Sequence, residues 1–289
     1  MDTATASRRA DGGAHGAAVE VRTVEVDGRR VRVGIRRGAP GSTPLLIFNG
    51  IGANLELMEP FTAALDGMET IVFDVPGVGG SDLPALPYRF SGLAGMASRL
   101  LTQLGYDKPV DVLGISWGGA LAQQFAFQYA TRCRRLVLAA TAPGAIMVPA
   151  RLGTLLRLVS PRRYRDPGYL MRVGPTLYGG MFRHRPELLT EHARHIAPPR
   201  GMAYAFQLFA AWGWTSLFWL RMLRQPTLVM AGSDDPIVPL INAKVMAMVI
   251  RRSRLVVLDD GHLFVVSKAR ESAGMVRRFL QGDAEIAEA

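Results

Sequence analysis

The chain has 289 residues, of which 49% are hydrophobic and 20% charged, and it contains one cysteine, Cys133. That length can bury a sizeable core, that composition excludes a disordered chain, and a lone cysteine excludes an internal disulfide or a thiolate-built zinc site. The net charge of +10 is unevenly spread: residues 143–224 carry 12 Arg against Asp166, Glu187 and Glu191, together with 11 of the aromatic residues.

Residues 1–18 hold two arginines but no apolar run behind them, so they predict a flexible tail rather than a secretory signal, and the cytoplasm as location. Val19 to Val26 and Arg30 to Arg37 alternate polar and apolar residues around Asp27-Gly28, a hairpin pattern. Short, almost wholly apolar runs follow at Leu45 to Phe48, Thr70 to Phe73, Val110 to Leu113, Leu136 to Ala140, Thr227 to Ala231 and Leu255 to Leu258. Runs without alternation are expected of strands buried on both faces of a parallel sheet.

Helical spacing appears between them at Leu57 to Leu65, Leu93 to Leu104, Gly119 to Tyr129, Leu240 to Ile250 and Lys268 to Leu280. The alternation predicts an α/β fold, a mostly parallel sheet with helices on both faces. The long gap after the sixth strand predicts an inserted helical cap at 143–224, with 19–142 and 225–282 as core and 283–289 as a second tail. Gly201 to Leu220 is uncharged over 20 residues, the length of a membrane span. Its glycines, Gln207, Thr215, Ser216 and flanking strands argue for no transmembrane span.

The chemistry concentrates in Gly114-Ile115-Ser116-Trp117-Gly118, where a predicted strand runs directly into a helix. A G-x-S-x-G turn in that context exposes its serine at a helix N-terminus, where free backbone N–H groups favour developing negative charge. A serine hydroxyl needs a histidine base and a carboxylate that holds the base's tautomer. Of the five histidines, His15 lies in the tail and His184, His192 and His195 in the charged insert, whereas His262 directly follows the last apolar run. His262 is therefore the expected base. His192 and His195, three apart, lack the companion carboxylate of a zinc motif and read as surface histidines, so no metal is expected.

Asp234 and Asp235 follow the penultimate strand, in the Ser, Asp, His order this architecture demands. The spacing from Gly232 favours Asp235 as the acid, with Asp234 as the alternative; Asp259 and Asp260 share a short loop with His262 and reach it poorly. The backbone N–H groups of Trp117 and of Ile51, in the loop Phe48-Asn-Gly-Ile-Gly-Ala-Asn, are the expected oxyanion donors. Asp74-Val-Pro-Gly-Val-Gly-Gly-Ser misses the register of a dinucleotide fingerprint and reads as a tight loop, and the basic residues match no nucleic-acid-binding module.

Leu45-Leu-Ile-Phe-Asn-Gly-Ile-Gly-Ala-Asn, Phe73-Asp-Val-Pro-Gly-Val-Gly-Gly-Ser, Gly114-Ile-Ser-Trp-Gly-Gly-Ala-Leu-Ala-Gln-Gln-Phe, Leu208-Phe-Ala-Ala-Trp-Gly-Trp-Thr-Ser and Asp259-Asp-Gly-His-Leu-Phe extend the pattern. Through them the chain resembles the α/β-hydrolase superfamily and, more narrowly, intracellular medium-chain-length poly(3-hydroxyalkanoate) depolymerases. The resemblance runs from about Pro44 to Leu280, and implies Ser116 as nucleophile, Asp235 as acid and His262 as base, without cofactor. It also implies a cytoplasmic enzyme at the surface of polyester granules. The cap aromatics, with Trp212 and Trp214 as substrate-binding residues, would then form an apolar tunnel, and the cap arginines a docking face. A different esterase, lipase or carbon-carbon bond hydrolase on the same scaffold, and a non-catalytic granule-coating protein, are the competing readings. Oligomeric state is not legible in the sequence.

Overall fold

The short apolar runs become strands because each can bury both of its faces. A computed structural model describes residues 18–282, so the predicted tails, Ala18 apart, lie outside the described residues. Strands β1 (Val19–Val26) and β2 (Arg29–Arg36) form an antiparallel hairpin. Asp27 and Gly28, at φ +54° and +71°, close it with the two-residue turn that matches strand twist. That turn starts β2 at Arg29, one residue ahead of the predicted start.

There follow β3 (Leu45–Phe48), α1 (Glu59–Ala64), β4 (Thr70–Phe73), α2 (Phe90–Gln103), β5 (Val110–Ile115), α3 (Trp117–Gln128) and β6 (Cys133–Ala139). The segment after β6 contains α4 (Leu152–Val159), α5 (Arg162–Arg165), α6 (Pro167–Tyr178), α7 (Pro186–Arg194) and α8 (Ala203–Ala211). The chain then closes with β7 (Thr227–Gly232), α9 (Leu240–Val249), β8 (Ser253–Leu258), α10 (Phe264–Ser267) and α11 (Ala269–Gln281).

The sheet order is β1-β2-β4-β3-β5-β6-β7-β8, parallel from β4 onward. Alternate strand residues feed two cores. Leu46, Phe48, Ile71 and Phe73 pack with Leu93 and Leu100 of α2 and Leu121 and Phe125 of α3. Leu45, Ile47 and Val72 face Phe61 of α1 and Val276 and Phe279 of α11. Burial on both faces explains why these strands read as unbroken apolar runs.

After β3 the chain moves to β4 on one side, then returns to β5 on the other. The loops leaving β3 and β5 therefore diverge, opening a crevice at the carboxyl ends of the strands. The Asp74 loop is the tight turn the sequence predicts: its buried carboxylate accepts the N–H groups of Leu55 at 2.8 Å and Gly80 at 2.9 Å.

The segment between β6 and β7 has a small core of its own, with Leu170, Val173, Leu177, Phe182 and Leu189 against Ile237. Its later part, through Tyr204, Ala210, Leu220 and Leu223, joins the α2–α3 core instead. Within the uncharged stretch only Ala203–Ala211 is α-helical. Among the described residues no helix is long and apolar enough to cross a membrane.

Candidate active site

Ser116 stands between β5 and α3 at φ +54° and ψ −119°, a backbone conformation that costs a non-glycine residue about 1–3 kcal/mol. The surroundings over-determine it. Its N–H donates to Ala139 O at 2.9 Å, and Thr141 Oγ1 donates to its carbonyl at 2.7 Å. A Cβ at Gly114 would lie 2.3 Å from Gly118 O, and one at Gly118 would lie 2.2 Å from Phe48 O. Both glycines of the motif are thus set by close backbone approach.

His262, in the loop after β8, lies with Nε2 3.0 Å from Ser116 Oγ and Nδ1 2.8 Å from Asp235 Oδ2. The other carboxylate oxygen, Oδ1, accepts the N–H groups of Ile237 at 2.8 Å and Val238 at 2.9 Å. Asp235 and His262 are both buried. With a carboxylate accepting at Nδ1, the neutral imidazole carries its proton there and presents the Nε2 lone pair to the serine.

Asp234 turns away to Arg183, whose Nε donates to it at 2.7 Å. The hydrogen bond from that guanidinium holds its carboxyl below the usual carboxylate range. Asp260 accepts the N–H of Met181 at 2.7 Å, and Asp259 takes the Ser233 hydroxyl at 3.2 Å, so neither meets the imidazole.

The loop after β3 runs beside the serine: a Cβ at Gly50 would lie 3.9 Å from that of Ser116. Among the described residues no acceptor takes the N–H of Ile51 or of Trp117, the first residue of α3. Two residues of the insert fasten this neighbourhood. The Tyr164 hydroxyl donates to Ile51 O. Gln207 accepts Gly52 N–H on Oε1 at 2.6 Å, and its own carbonyl accepts the Trp117 indole N–H at 2.8 Å. Neither carries a sequence signal, because both act through contacts over a hundred residues away or close to it.

Two cavities flank Ser116. One of about 300 Å³ is almost wholly apolar, with Trp117, Met147, Leu155, Leu208 and Trp214 among its walls. The other, about 60 Å³, is lined by His262, Arg163, Tyr164, Tyr178 and His192.

One expectation needs correction. His192 is not a surface residue: it packs against Tyr178 and Phe182 with ring centroids 6.1 and 6.2 Å away, and burial lowers its pKa to about 4. It sits on the inner face of a helix whose outer face carries the charges that suggested exposure. Trp212 lines neither cavity. It is 70% exposed beside Arg89, whereas Trp214 turns inward, since Gly213 at φ +72° redirects the chain between them.

Strand, serine turn, insert and returning histidine loop together define a class, and residues 43–269 match the alpha/beta hydrolase fold family; the chain belongs to it. The chain is 53% identical over 267 residues to the poly(3-hydroxyalkanoate) depolymerase of Ectopseudomonas oleovorans, covering 92% of this chain and 94% of that one. It is 26% identical to 3-oxoadipate enol-lactonase 2 of Acinetobacter baylyi, covering 76% and 82% of the two chains. The solved enol-lactonase from Burkholderia xenovorans LB400 superposes with a TM-score of 0.78 at 22% identity, covering 90% of this chain and all of that one, a likeness of fold alone.

Proposed function

We propose that the protein is a serine hydrolase that cleaves the ester bonds of poly(3-hydroxyalkanoate), with medium-length side chains preferred. The observation that carries the chemistry is the hydrogen-bonded series Ser116, His262, Asp235, at 3.0 and 2.8 Å, opening onto an apolar cavity. The depolymerase relative supports the polymer as substrate.

In this reading Ser116 Oγ attacks the ester carbonyl while His262 takes its proton, and Asp235 holds the imidazole and stabilises its charged form. The Ile51 and Trp117 amides receive the oxyanion. The alcohol half leaves with the proton from His262, and water repeats the sequence on the acyl-enzyme. Alkyl groups of the acyl half lie along Trp214, Leu155 and Leu208.

Granule docking belongs to the same proposal, and α4 supports it. Leu155 and Leu158 face the cavities, while Leu152, Leu156 and Val159, one helical face at i, i+4 and i+7, are 72%, 66% and 57% exposed. A helix apolar toward both cavity and solvent fits a water–polyester boundary better than water. Arg151 and Arg157 flank that face, so both the apolar and the basic parts of the insert meet the granule.

The test incubates the protein and Ser116→Ala with medium-chain and short-chain polyester granules and measures released hydroxyacid. Release from medium-chain granules, lost in the variant, is expected. Hydrolysis of small esters with no release from either granule would sink the polymer assignment and favour an esterase of small acyl compounds.

A further inference from the structure

Arg163, in α5, is 2% exposed. Its Nη1 donates to the carbonyls of Leu158 at 2.9 Å and Ser160 at 3.3 Å, and Nη2 reaches the Tyr164 hydroxyl at 3.4 Å. The guanidinium lies 4.5 Å from the centroid of Tyr164 and 5.5 Å from that of Tyr204. Its Nε is buried and finds no acceptor.

Among the described residues no carboxylate comes within ion-pair distance of it. The other buried arginine, Arg36, has Glu59 at 3.9 Å. A buried cation held by carbonyls, one hydroxyl and ring faces, with no carboxylate, is expensive unless something else answers its charge.

Arg163 lines the smaller cavity together with Ser116 and His262, and no acidic residue does. His192, on the same wall, is uncharged above about pH 4. A water occupies roughly 10–15 Å³ of such volume, so about 60 Å³ admits a group of a few heavy atoms, such as a carboxylate, and little more.

Position decides which carboxylate. His262 lines the small cavity and not the large one. Since the leaving oxygen takes its proton from His262, the carboxyl end of the alcohol half faces the small cavity, while its alkyl side chain, too large for about 60 Å³, stays outside it. In a 3-hydroxyacid polyester the carboxyl carbon of that half is separated from the leaving oxygen by two carbons.

We propose that Arg163 receives the free carboxylate of the terminal unit on the leaving-group side of Ser116, so that the protein shortens its polymer from the acid end. The proposal rests on the polyester reading. Each turnover breaks the ester bond of the last unit, consumes one water, and gives one 3-hydroxyacid anion, a shortened chain with a new terminal carboxylate, and one proton.

The experiment compares linear 3-hydroxyoctanoate dimers as free acid and as methyl ester, in wild type and Arg163→Met. A charge-assisted contact predicts a free-acid preference in kcat/KM of roughly ten- to a hundredfold, carried by KM, collapsing toward parity in the variant. A preference absent from wild type, or equal in both proteins, overturns it, as does a variant slowed equally on both dimers, the mark of a purely structural arginine.

Should Arg163→Met fail to fold, product inhibition of wild type on p-nitrophenyl octanoate decides the matter. 3-Hydroxyoctanoate should inhibit at about tenfold lower concentration than its methyl ester, and equal inhibition overturns the carboxylate receptor. Selective inhibition by the acid without release from granules would reject the polymer and keep the receptor; release from granules with no acid preference would do the reverse.

Discussion

Replacing Asp235 by asparagine changes one atom and inverts a hydrogen bond. Oδ1 accepts two backbone N–H groups, from Ile237 at 2.8 Å and Val238 at 2.9 Å. An asparagine keeps its carbonyl there, because presenting an NH2 to two donors would orphan buried groups at about 1–3 kcal/mol each. The NH2 then faces His262 Nδ1, which must accept rather than donate. The ring proton moves to Nε2 and points at Ser116 Oγ, and the base is lost although every side chain stays in place. A wrong tautomer of this kind costs roughly 10⁴-fold in kcat, equivalent to about 5.4 kcal/mol. Asp234→Asn is the control, since its carboxylate pairs at the surface with Arg183 and should change turnover by no more than about threefold. Steady-state hydrolysis of p-nitrophenyl octanoate, with circular dichroism melts to establish folding, measures both. A folded Asp235→Asn within about tenfold of wild type would refute the reasoning, as would an equal loss in Asp234→Asn.

Three further outcomes are expected. Ser116→Gly should abolish turnover while raising the thermal midpoint, because glycine relieves about 1–3 kcal/mol of strain and gives back about 0.5–1 kcal/mol in chain entropy; a lower midpoint contradicts the strain. Gln207→Ala should lower kcat about tenfold or more with little change in KM for small esters, since it frees Gly52 beside the Ile51 amide; an unchanged kcat in single-turnover measurements would remove Gln207 from the positioning set. His192, buried beside Tyr178 with His195 and Arg163 nearby, has a folded pKa lowered to about 4, so between about pH 6.5 and 4 the unfolded chain binds the extra proton. Stability from this group is therefore full above pH 6.5 and falls with pH, by roughly 3 kcal/mol at pH 4, and urea melts of His192→Gln should lack that share of the slope.

The strand–serine–helix turn was legible because its causes are local: strand, serine and helix are consecutive, and Gly114 and Gly118 lie two residues either side. His262 followed from strand order. The choice between Asp234 and Asp235 could be favoured but not closed, because what occupies Asp234 is Arg183, 51 residues away in the insert. The inner wall was not legible at all. Arg163 is one of 12 arginines in that segment, distinguished by burial between two tyrosines rather than by any spacing. The same segment's polar composition pointed His192 outward, and tertiary packing turned it in.

The Tyr178 carbonyl accepts the backbone N–H of His262 at 2.7 Å, and a Cβ on Gly261 would lie 2.0 Å from that oxygen. The insert and the His262 loop are thus joined at this contact. Swinging the insert outward as a hinged cover would break that hydrogen bond and disturb the loop that holds His262 beside Ser116. Transplanting a relative's insert to alter substrate range would fail for the same reason unless the residues around Gly261 travelled with it.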